Sequence, residues 1–575
     1  MTIAGRAHRM SLPVVAAVML IVLLLGAWVV QVIAIKPHPT HLVLIVLDTV
    51  RRDHLCCYGY PLDTTPALRR FADGAVVFEE ARSAAPWTLP SHASLFTGLL
   101  PTEHGCDFDH RYLVDRHVTI AEAVGEHGHE TFGVTTNVNA SSLYHLDQGF
   151  DQFLEIWKIR ARYPGLSDSS IVNRRIQDWL DRRDERKPFF LFVNYSDAHL
   201  PYRPSPEHET RFGSVSDKAR RIAGSADLLE RLLGGEIRLD ASLKSELVAL
   251  YDAELRTLDD RLGELLDLLE ARGLLEHSMI VITSDHGELL GEDGLLDHQL
   301  SMREELLRVP LLVQFRHRVR PHRIKTPVSL TSVMQFFTEA SRGAVPEWDP
   351  PPDRIEPGLL SEYAEPHDLL ARLAARGVDV TPFETGQQCA FTYDPALGRC
   401  KWLLSDSTER LFLLDLNGEG DDRIGEFPDL ADRLRAHFQR VQTGRSFREI
   451  DADMVAEGES GEATLAELEA IGYVGQKDLA LSVHASEHWS IADRALADLD
   501  PDRAVQNLEW ALKIRPDHLG LLFAYAECLD RTAHDGKREA WRQYLEAAER
   551  VSAVDSEYKR RARERLEKLS ATRGE

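Results

Sequence analysis

Four short apolar stretches decide the fold: HLVLIVLDT (41–49), FFLFVNYSD (189–197), MIVITSD (279–285) and VPLLVQF (309–315). Each is almost continuously hydrophobic, which is typical of strands buried on both faces in a parallel sheet covered by helices. Three of them end near an aspartate, at Asp48, Asp197 and Asp285. Because ligands of open α/β sheets bind beyond the carboxyl ends of the strands, we expect these carboxylates to face one crevice.

A leucine repeat lies between the second and third stretches. Leucines recur there at three- and four-residue steps and stop before Gly273, at positions 247, 250, 255, 258, 262, 265 and 269. This spacing predicts one long amphipathic helix. Strands that alternate with helices over roughly 300 residues indicate an α/β fold.

The pattern changes after residue 380. Short strands, CAFTYD, CKWLL and RLFLLDL, predict a small antiparallel sheet, and with the following tail they form a segment over 381–475. From residue 480 to 572 the sequence is helical, and Ala504 and Ala511 recur 36 residues later as Ala540 and Ala547. Small residues at repeated positions are typical of tetratricopeptide-like helical pairs. A plain helical cap on the preceding domain is the alternative.

Composition excludes several classes of protein. The 575 residues are 43% hydrophobic and 28% charged, which is ordinary for a folded chain. The formal net charge of -25 would repel a polyphosphate backbone, so nucleic acid is not an expected partner. The six cysteines are too few for a disulfide framework. In an oxidising compartment, however, Cys389 and Cys400 would be candidates for one bridge.

An uncharged apolar segment covers residues 11–35 and is long enough to cross a bilayer. Arg6 and Arg9 precede it, which favours a cytoplasmic N-terminus over residues 1–10. We therefore expect a single-pass membrane anchor with the rest of the chain in the periplasm or outside the cell. A cleaved signal peptide is the alternative.

Separated motifs provide polar groups suited to metal chemistry. They are Asp48, the stretch Ala85–His92 (APWTLPSH) and the stretch Ser284–Gly287 (SDHG). Together they offer two carboxylates, an imidazole and a hydroxyl, which form a plausible ligand set for one divalent cation. A metal-activated hydroxyl is one way in which a threonine becomes a nucleophile at neutral pH.

The order of these motifs resembles that of the sulfatase branch of the alkaline phosphatase superfamily. LDTVRRDHLCCYGY, APWTLPSHASLFTGLLPTEHG, FFLFVNYSDAHLPY, VITSDHGE and RVPLLV stand in the family's order between residues 41 and 315. The resemblance implies an alkaline-phosphatase-like mixed sheet sandwiched by helices, with a small C-terminal antiparallel sheet. The catalytic domain would cover residues 41–380.

The resemblance also implies roles for individual residues. The expected metal ligands are Asp48, Thr88, Asp285 and His286, with Thr88 as the nucleophile. His199 matches a histidine near the leaving group, and His298 matches a second histidine that faces the site. A structural, hydrogen-bonding histidine is the alternative for both.

Departures from the family bear on the substrate. Thr88 occupies the seat of a cysteine or serine that sulfatases oxidise to formylglycine, and threonine cannot form that aldehyde. His92 replaces the arginine of the same motif, and Thr49 replaces a second aspartate. Thr136 and Asn137 stand where sulfatases place a lysine and a histidine on sulfate. Asn137 and Asn194, with His92, are the expected substrate contacts. A threonine nucleophile is typical of the phosphotransfer branches.

We therefore expect a membrane-anchored, extracytoplasmic enzyme that acts on phospho- or phosphonoesters as a hydrolase or a transferase. Zn²⁺ is the expected metal, with Mn²⁺ or Ca²⁺ as alternatives. The substrate would be an anionic ester on a lipid, a glycan or an envelope polymer, and the helical repeats would offer a protein-binding surface. Two alternatives remain: an unusual sulfatase, and a non-catalytic scaffold.

Overall fold

The computed structural model describes residues 40–108, 111–225, 227–348, 359–364, 366–383, 386–394, 396–405, 408–415, 418–443, 505, 508–509, 512, 519–531, 536–551 and 557–571. The expected membrane anchor over 11–35 and most of the chain between 444 and 518 lie outside this range. Among the helices described, none combines the length and the apolar composition that a membrane crossing requires.

Sixteen strands are described. In chain order they are β1 His41–Leu47, β2 Val76–Arg82, β3 Glu130–Thr135, β4 Gln152–Glu155, β5 Phe189–Tyr195, β6 Ser278–Thr283, β7 Leu289–Leu290, β8 Leu296–Asp297, β9 Arg308–Phe315, β10 His322–Ile324, β11 Val328–Ser329, β12 Leu359–Tyr363, β13 Gln387–Asp394, β14 Gly398–Ser405, β15 Thr408–Asp415 and β16 Gly418–Asp422. A nine-stranded sheet has the order β10-β2-β9-β6-β1-β5-β3-β4, with β11 paired to β2.

Fifteen α-helices are described with these strands. They are α1 Pro66–Asp73, α2 Thr88–Thr97, α3 Pro101–His104, α4 Ile120–Gly125, α5 Asp168–Leu180, α6 Asp217–Ala223, α7 Leu228–Leu233, α8 Ala241–Ala271, α9 Glu304–Leu307, α10 Ser332–Ser341, α11 His367–Ala375, α12 Pro428–Thr443, α13 Leu519–Arg531, α14 Lys537–Val551 and α15 Glu557–Ala571. The predicted leucine-rich helix is confirmed as α8, and all seven of its leucines are buried.

The centre of the large sheet has helices on both faces. Strand β1 is parallel to β5 and to β6, and its side chains alternate between two separate buried clusters. Such two-sided burial explains the continuous hydrophobic runs. The fourth run departs from the parallel pairing that such runs typically adopt, because β9 is antiparallel to both β6 and β2. The sheet is therefore mixed, as the family resemblance implies.

The small antiparallel sheet is also confirmed. Its order is β12-β13-β14-β15-β16, so its first strand precedes residue 381. The candidate disulfide is wrong, since Cys389 and Cys400 are both free thiols. Cys400 is paired in register with Thr392, three residues from Cys389. Side chains alternate across a sheet, so an odd offset puts the two sulfurs on opposite faces.

The C-terminal helices form their own buried cluster. Helices α13 and α14 contact through aromatic side chains, with the rings of Phe523 and Trp541 5.2 Å apart. Ala540 and Ala547, the later members of the predicted repeat, are buried. Ala504 and Ala511 lie outside the described residues, so the tetratricopeptide-like array stays a prediction.

Candidate active site

The expected metal ligands meet at the carboxyl ends of two adjacent strands. Asp48 follows β1, and Asp285 and His286 follow β6. All three side chains are completely buried, and each offers one ligand atom within 4.8 Å of the others. The parallel pairing of β1 and β6 thus brings together residues that are more than 230 positions apart in the chain.

Thr88 lies beside this cluster as the first residue of α2. Its hydroxyl oxygen is 3.3 Å from Nε2 of His286, and the residue is 1% exposed. Trp87, in an extended conformation, precedes the helix and leaves the first backbone N–H groups without intrahelical acceptors. These N–H groups and the helix dipole favour negative charge at this point.

The two carboxylates fit a divalent cation. Oδ1 of Asp48 and Oδ2 of Asp285 are buried and have no hydrogen-bond partner among the described residues. Burial, and then the charge of Asp48, raise the pKa of Asp285 well above its ordinary value. Two desolvated carboxylates this close are costly unless a cation compensates them. This set of two carboxylates and one imidazole suits a divalent metal ion.

His286 is in the right tautomer to act as a ligand. Its Nδ1 lies 2.9 Å from the carbonyl oxygen of Gly287, which can only accept a hydrogen bond. Nδ1 therefore carries the proton and Nε2 presents its lone pair to Thr88 and the carboxylates. Burial, together with the charge of His298, lowers the pKa of His286 well below its usual value.

Both predicted asparagines are bonded to Asp48. Nδ2 of Asn137 donates to Oδ2 of Asp48 over 2.7 Å and lies 3.4 Å from the Thr88 hydroxyl. Nδ2 of Asn194 donates to the same carboxylate oxygen over 3.2 Å. These amides therefore orient the carboxylate, whereas the sequence suggested only that they contact substrate.

His92 is packed beneath the site. Its Nδ1 is 3.0 Å from the carbonyl oxygen of Thr88 and 3.4 Å from Oδ2 of Asp285, and the side chain is fully buried. Burial lowers the pKa of His92. A neutral imidazole thus replaces the permanent cation that an arginine would supply there, and its role in substrate binding stays a prediction.

His298 and His199 stand on one side of the cluster. The rings of His286 and His298 are 4.4 Å apart, and those of His298 and His199 are 5.1 Å apart. Nδ1 of His298 lies 3.2 Å from Glu288 and 2.9 Å from Asp297. Burial opposes the charged form, but the two carboxylates raise the pKa of His298 well above its usual value.

Glu288 and Asp297 were missed as site residues by the sequence analysis. Both were visible in it, since Glu288 ends the stretch SDHGE and Asp297 immediately precedes His298. Nothing in a local pattern indicates that residues 288 and 298 share a hydrogen bond. The strand pair β7–β8, in which Leu289 is opposite Asp297, brings them together.

Buried serines tie the loops of the site to one another. The Ser284 hydroxyl accepts from the backbone N–H of Val50 over 2.9 Å and donates to the carbonyl oxygen of His286 over 2.6 Å. The Ser91 hydroxyl donates to the carbonyl oxygen of Asp285 over 2.7 Å. The loop after β1, the loop after β6 and helix α2 are therefore held in fixed relative positions.

The expectation that Asp197 shares the crevice is wrong. Its carboxylate accepts a hydrogen bond of 2.6 Å from Ser169 in α5. Asp197 lies two residues beyond the end of β5, and at this position the chain directs the side chain toward a helix that covers the sheet. Burial raises its pKa to about 6.

Known proteins resemble this chain in sequence and in fold. Residues 40–342, more than half of the chain, match the family model described as Sulfatase. The chain is 25% identical over 388 residues to the ulvan-active sulfatase of Formosa agariphila, covering 61% of this chain and 70% of that protein. It is 20% identical over 373 residues to the N-acetylglucosamine-6-O-sulfatase of Bacteroides thetaiotaomicron, covering 50% of this chain and 65% of that protein.

Solved structures share the fold. The phosphonate monoester hydrolase of Agrobacterium radiobacter superposes with a TM-score of 0.54 at 16% identity, covering 70% of this chain and 96% of that one. A protein solved in complex with its substrate D-glucosamine-2-N,6-O-disulfate superposes with a TM-score of 0.55 at 16% identity. The superposition covers 70% of this chain and 98% of that one. The mixed sheet and the small antiparallel sheet agree with these structural similarities. The chain belongs to the sulfatase family, a family of hydrolases in the alkaline phosphatase superfamily.

Proposed function

We propose that this protein is a metal-dependent hydrolase or transferase of phospho- or phosphonoesters in which the hydroxyl of Thr88 is the nucleophile. One observation carries the proposal: the Thr88 oxygen lies at a helix N-terminus, 3.3 Å from His286 and beside two carboxylates, each with one oxygen that has no hydrogen-bond partner among the described residues. A divalent cation held by Asp48, Asp285 and His286 would supply Lewis-acid activation. The remaining steps belong to side chains of the protein.

In the proposed reaction the Thr88 hydroxyl gives its proton to solvent and its oxygen attacks phosphorus, so that the Oγ–P bond forms and the bond to the leaving oxygen breaks. His298 or His199 gives a proton to that oxygen, and the helix N-terminus stabilises charge on the non-bridging oxygens. Water or an acceptor alcohol then releases the phosphoryl group from Thr88. The choice between water and alcohol distinguishes a hydrolase from a transferase.

Sulfate ester hydrolysis is the second candidate function. The curated relatives that favour it are named for sulfated substrates, an ulvan and an N-acetylglucosamine-6-O-sulfate. The phosphonate monoester hydrolase shares the fold, so the fold suits either ester. Against a sulfatase stands Thr88 itself, because the formylglycine route requires a primary alcohol or a thiol at this position.

The proposal also covers the metal ion, the location of the enzyme and its class of substrate. Zn²⁺ is the preferred metal, because one imidazole and two carboxylates suit it. The apolar segment 11–35 would anchor the protein with its catalytic domain outside the cytoplasm, next to lipid, glycan or envelope polymer. A sulfated or phosphorylated glycan is the substrate class that the names of the relatives favour.

Substitution of the nucleophile tests the proposal. We expect Thr88→Ala to lower kcat on an aryl phosphodiester or an aryl phosphonate by at least about a thousandfold, while Thr88→Ser keeps measurable activity. An aryl sulfate assayed in parallel decides between the two candidate functions. Thr97→Ser, at the other end of α2, is the matched control because its hydroxyl donates to the carbonyl of Ala93 and accepts from the backbone N–H of Leu99, both at the far end of that helix.

The outcomes separate the alternatives. Full activity of Thr88→Ala on every ester would reject the assignment of Thr88 as the nucleophile. Greater turnover of the aryl sulfate than of the phosphorus esters makes the protein a sulfatase of unusual type. A folded wild-type protein that binds no divalent cation by elemental analysis and turns over no ester supports the scaffold.

A further inference from the structure

The strand pair β7–β8 carries one of the two histidines that stand beside the expected metal ligands. Glu288 immediately precedes β7, Asp297 ends β8, and His298 follows it. Glu288 is completely buried and His298 is 5% exposed. The ring of His298 lies 4.4 Å from that of His286, whose Nε2 is 3.3 Å from the Thr88 hydroxyl. A buried imidazole therefore stands next to the ring that contacts the proposed nucleophile.

One ring nitrogen of His298 is engaged by two carboxylates. Its Nδ1 lies 2.9 Å from Oδ1 of Asp297 and 3.2 Å from Oε1 of Glu288. Ionised carboxylates only accept hydrogen bonds, so Nδ1 carries a proton. Nε2 has no hydrogen-bond partner in the part of the chain that the structure describes. It is consequently the nitrogen that remains for the reacting groups.

Backbone geometry holds the Asp297 carboxylate in place. Asp297 has a φ of 72°, in the left-handed region, which aspartate and asparagine adopt more readily than most residues. Its Oδ1 also accepts from the backbone N–H of His298 over 2.6 Å. Across the strand pair, Asp297 is opposite Leu289, the residue that follows Glu288. The two carboxylates therefore reach the same nitrogen from two strands.

Arg51 joins this strand pair to the loop after β1. Its Nη1 donates to the carbonyl oxygen of Glu288 over 3.2 Å and to Oε1 of Glu292 over 2.9 Å. Arg51 is 4% exposed, and Asp48 lies three residues before it in the same loop. The chain that carries His298 is thus tied to the chain that carries an expected metal ligand.

The corresponding nitrogen of His199 bonds a neutral group. Nδ1 of His199 donates to the carbonyl oxygen of Leu200. A carboxylate accepts a shorter and stronger hydrogen bond than a carbonyl does, and it stabilises the positive charge of an imidazole that is ready to give up a proton. The two carboxylates therefore favour His298 over His199 as a proton donor.

We propose that Glu288 and Asp297 are positioning residues that make His298, rather than His199, the proton donor to the leaving oxygen; the inference rests on the proposed function. The Nε2–H bond of His298 breaks, its proton passes to the leaving oxygen, and Nδ1 keeps its own proton on the carboxylates. When water or an acceptor alcohol attacks the phosphoryl group on Thr88, Nε2 takes up the proton that the attacking oxygen loses. Neither carboxylate touches the substrate in this scheme.

Two aspartates of the strand pair form a matched test. Asp293, in the turn between β7 and β8, also has a positive φ, of 51°, but its exposed carboxylate pairs with Arg303. Asparagine tolerates this backbone region, so Asp297→Asn and Asp293→Asn make the same chemical change at similar backbone positions. The metal-loaded, full-length variants are assayed on an alkyl ester and a nitrophenyl ester of the same phosphonic acid.

We expect Asp297→Asn to lower kcat/KM about 10- to 100-fold on the alkyl ester and less than about threefold on the nitrophenyl ester. A strongly basic alkoxide needs a proton to leave, whereas nitrophenolate departs without one. Glu288→Gln should show the same selectivity, and Asp293→Asn should lose little on either ester. Equal losses on the two esters, or a selective loss in Asp293→Asn, overturn the proposal.

A double-mutant cycle shows whether Asp297 acts through His298. In a His298→Ala background, Asp297→Asn should cause no further loss on the alkyl ester, because the imidazole that it positions is gone. Losses that multiply would assign Asp297 to general packing and reject the proposal. His199→Ala should affect both esters by the same factor. A loss confined to the alkyl ester in that variant, and not in His298→Ala, would make His199 the donor.

Proton spectra of protein that contains isotopically labelled histidine separate this proposal from the proposed function. We expect a slowly exchanging Nδ1–H signal in the wild type that is absent from His298→Ala and shifted in Asp297→Asn. An active wild type without this signal overturns the positioning. A wild type that shows the signal but turns over no ester contradicts the proposed function and the donor role, and leaves the hydrogen bonds of His298 intact. If circular dichroism shows that Asp297→Asn is unfolded, Glu288→Gln takes its place in every assay.

Discussion

Asp48 is the residue to which the polar side chains of the site are joined. Its Oδ2 accepts from both Asn137 and Asn194, while its Oδ1 has no partner among the described residues. One oxygen is therefore fixed by amides and the other is left for a cation. Second-layer donors of this kind hold a metal-binding carboxylate in one orientation and commonly matter almost as much as the ligand.

Asn137 should consequently act through Asp48, and not only through the substrate contact that the sequence predicts. We expect Asn137→Ala to lower kcat/KM and the affinity for the metal by roughly 10- to 100-fold, because Asp48 loses its shortest hydrogen bond and Thr88 loses a neighbouring donor. Steady-state kinetics and metal titration measure the two effects. Asn139→Ala is the control, since Asn139 contacts the site only through its backbone N–H. Equal losses in both variants would contradict the role of Asn137.

At the scale of elements, hydrogen bonds between loops and helix ends determine where the site residues stand. Thr49 has a φ of 59°, an uncommon conformation for a β-branched residue. The Tyr251 hydroxyl of α8 accepts from the N–H of Arg51 and donates to the carbonyl oxygen of Thr49. Helix α8 therefore braces the turn that carries Asp48.

The same helix caps α1. The two carboxylate oxygens of Asp259 accept from the backbone N–H groups of Ala67 and Leu68 over 2.6 and 2.8 Å. We expect Asp259→Ala to lower the free energy of unfolding by about 1–2 kcal/mol, the usual value of an N-terminal cap. Urea unfolding measures it, with Asp267→Ala, an exposed change on the same helix, as the control.

The stabilisation by Asp259 should depend on pH. Burial raises its pKa from 3.8 to about 6 in the folded protein, so the folded state binds the proton more tightly than the unfolded state does. The advantage of wild type over Asp259→Ala is then greatest below about pH 4 and decreases as the pH rises to about 6. A difference that grows with pH over this interval would contradict the assignment.

At the scale of the whole molecule, the mixed sheet collects site residues from four strands and from α2. Asp48, Asn137, Asn194 and Asp285 all follow or end adjacent strands, with β1 between β6 and β5, and β3 next to β5. The side chains therefore converge only when the sheet is complete. Folding and formation of the site are coupled, since two buried carboxylates must be brought together.

Metal removal should show this coupling. We expect a chelator to lower the Tm of the purified protein by several degrees and added Zn²⁺ to restore it, because a ligand that binds only the folded state stabilises it. Differential scanning calorimetry measures the change. Asp285→Asn lacks one of the ligand charges, and its Tm should respond less to the chelator. An identical response of both proteins would place the stabilising metal elsewhere.

Much of the fold is predictable from local pattern. Continuous hydrophobic runs identify the central strands because both faces of those strands are buried, and the leucine repeat identifies α8 because one face of that helix is buried. The direction of a strand relative to its neighbours is less predictable. The run 309–315 resembles its neighbours in composition, but β9 is antiparallel to them, because strand direction depends on the route of the connecting chain.

Which residues form the candidate site is easier to predict than which hydrogen bonds join them. The motifs identified Asp48, Thr88, Asp285 and His286, and these residues do lie together. Their roles stay predictions. The motifs gave no indication that Asn137 and Asn194 bind the same oxygen of Asp48, or that Glu288 and Asp297 flank His298.

The amino-acid sequence by itself determined the strand cores, helix α8 and the chemical groups available for catalysis, because hydrophobic period and residue type are local properties. Only the tertiary structure decided that Asp197 turns toward Ser169, that Cys389 and Cys400 lie on opposite faces, and that arginines from three strands surround Glu80. Those outcomes depend on register and on packing between residues far apart in the chain. Register and long-range packing are determined when the whole sheet assembles, and they leave no periodic pattern in the sequence of any one segment.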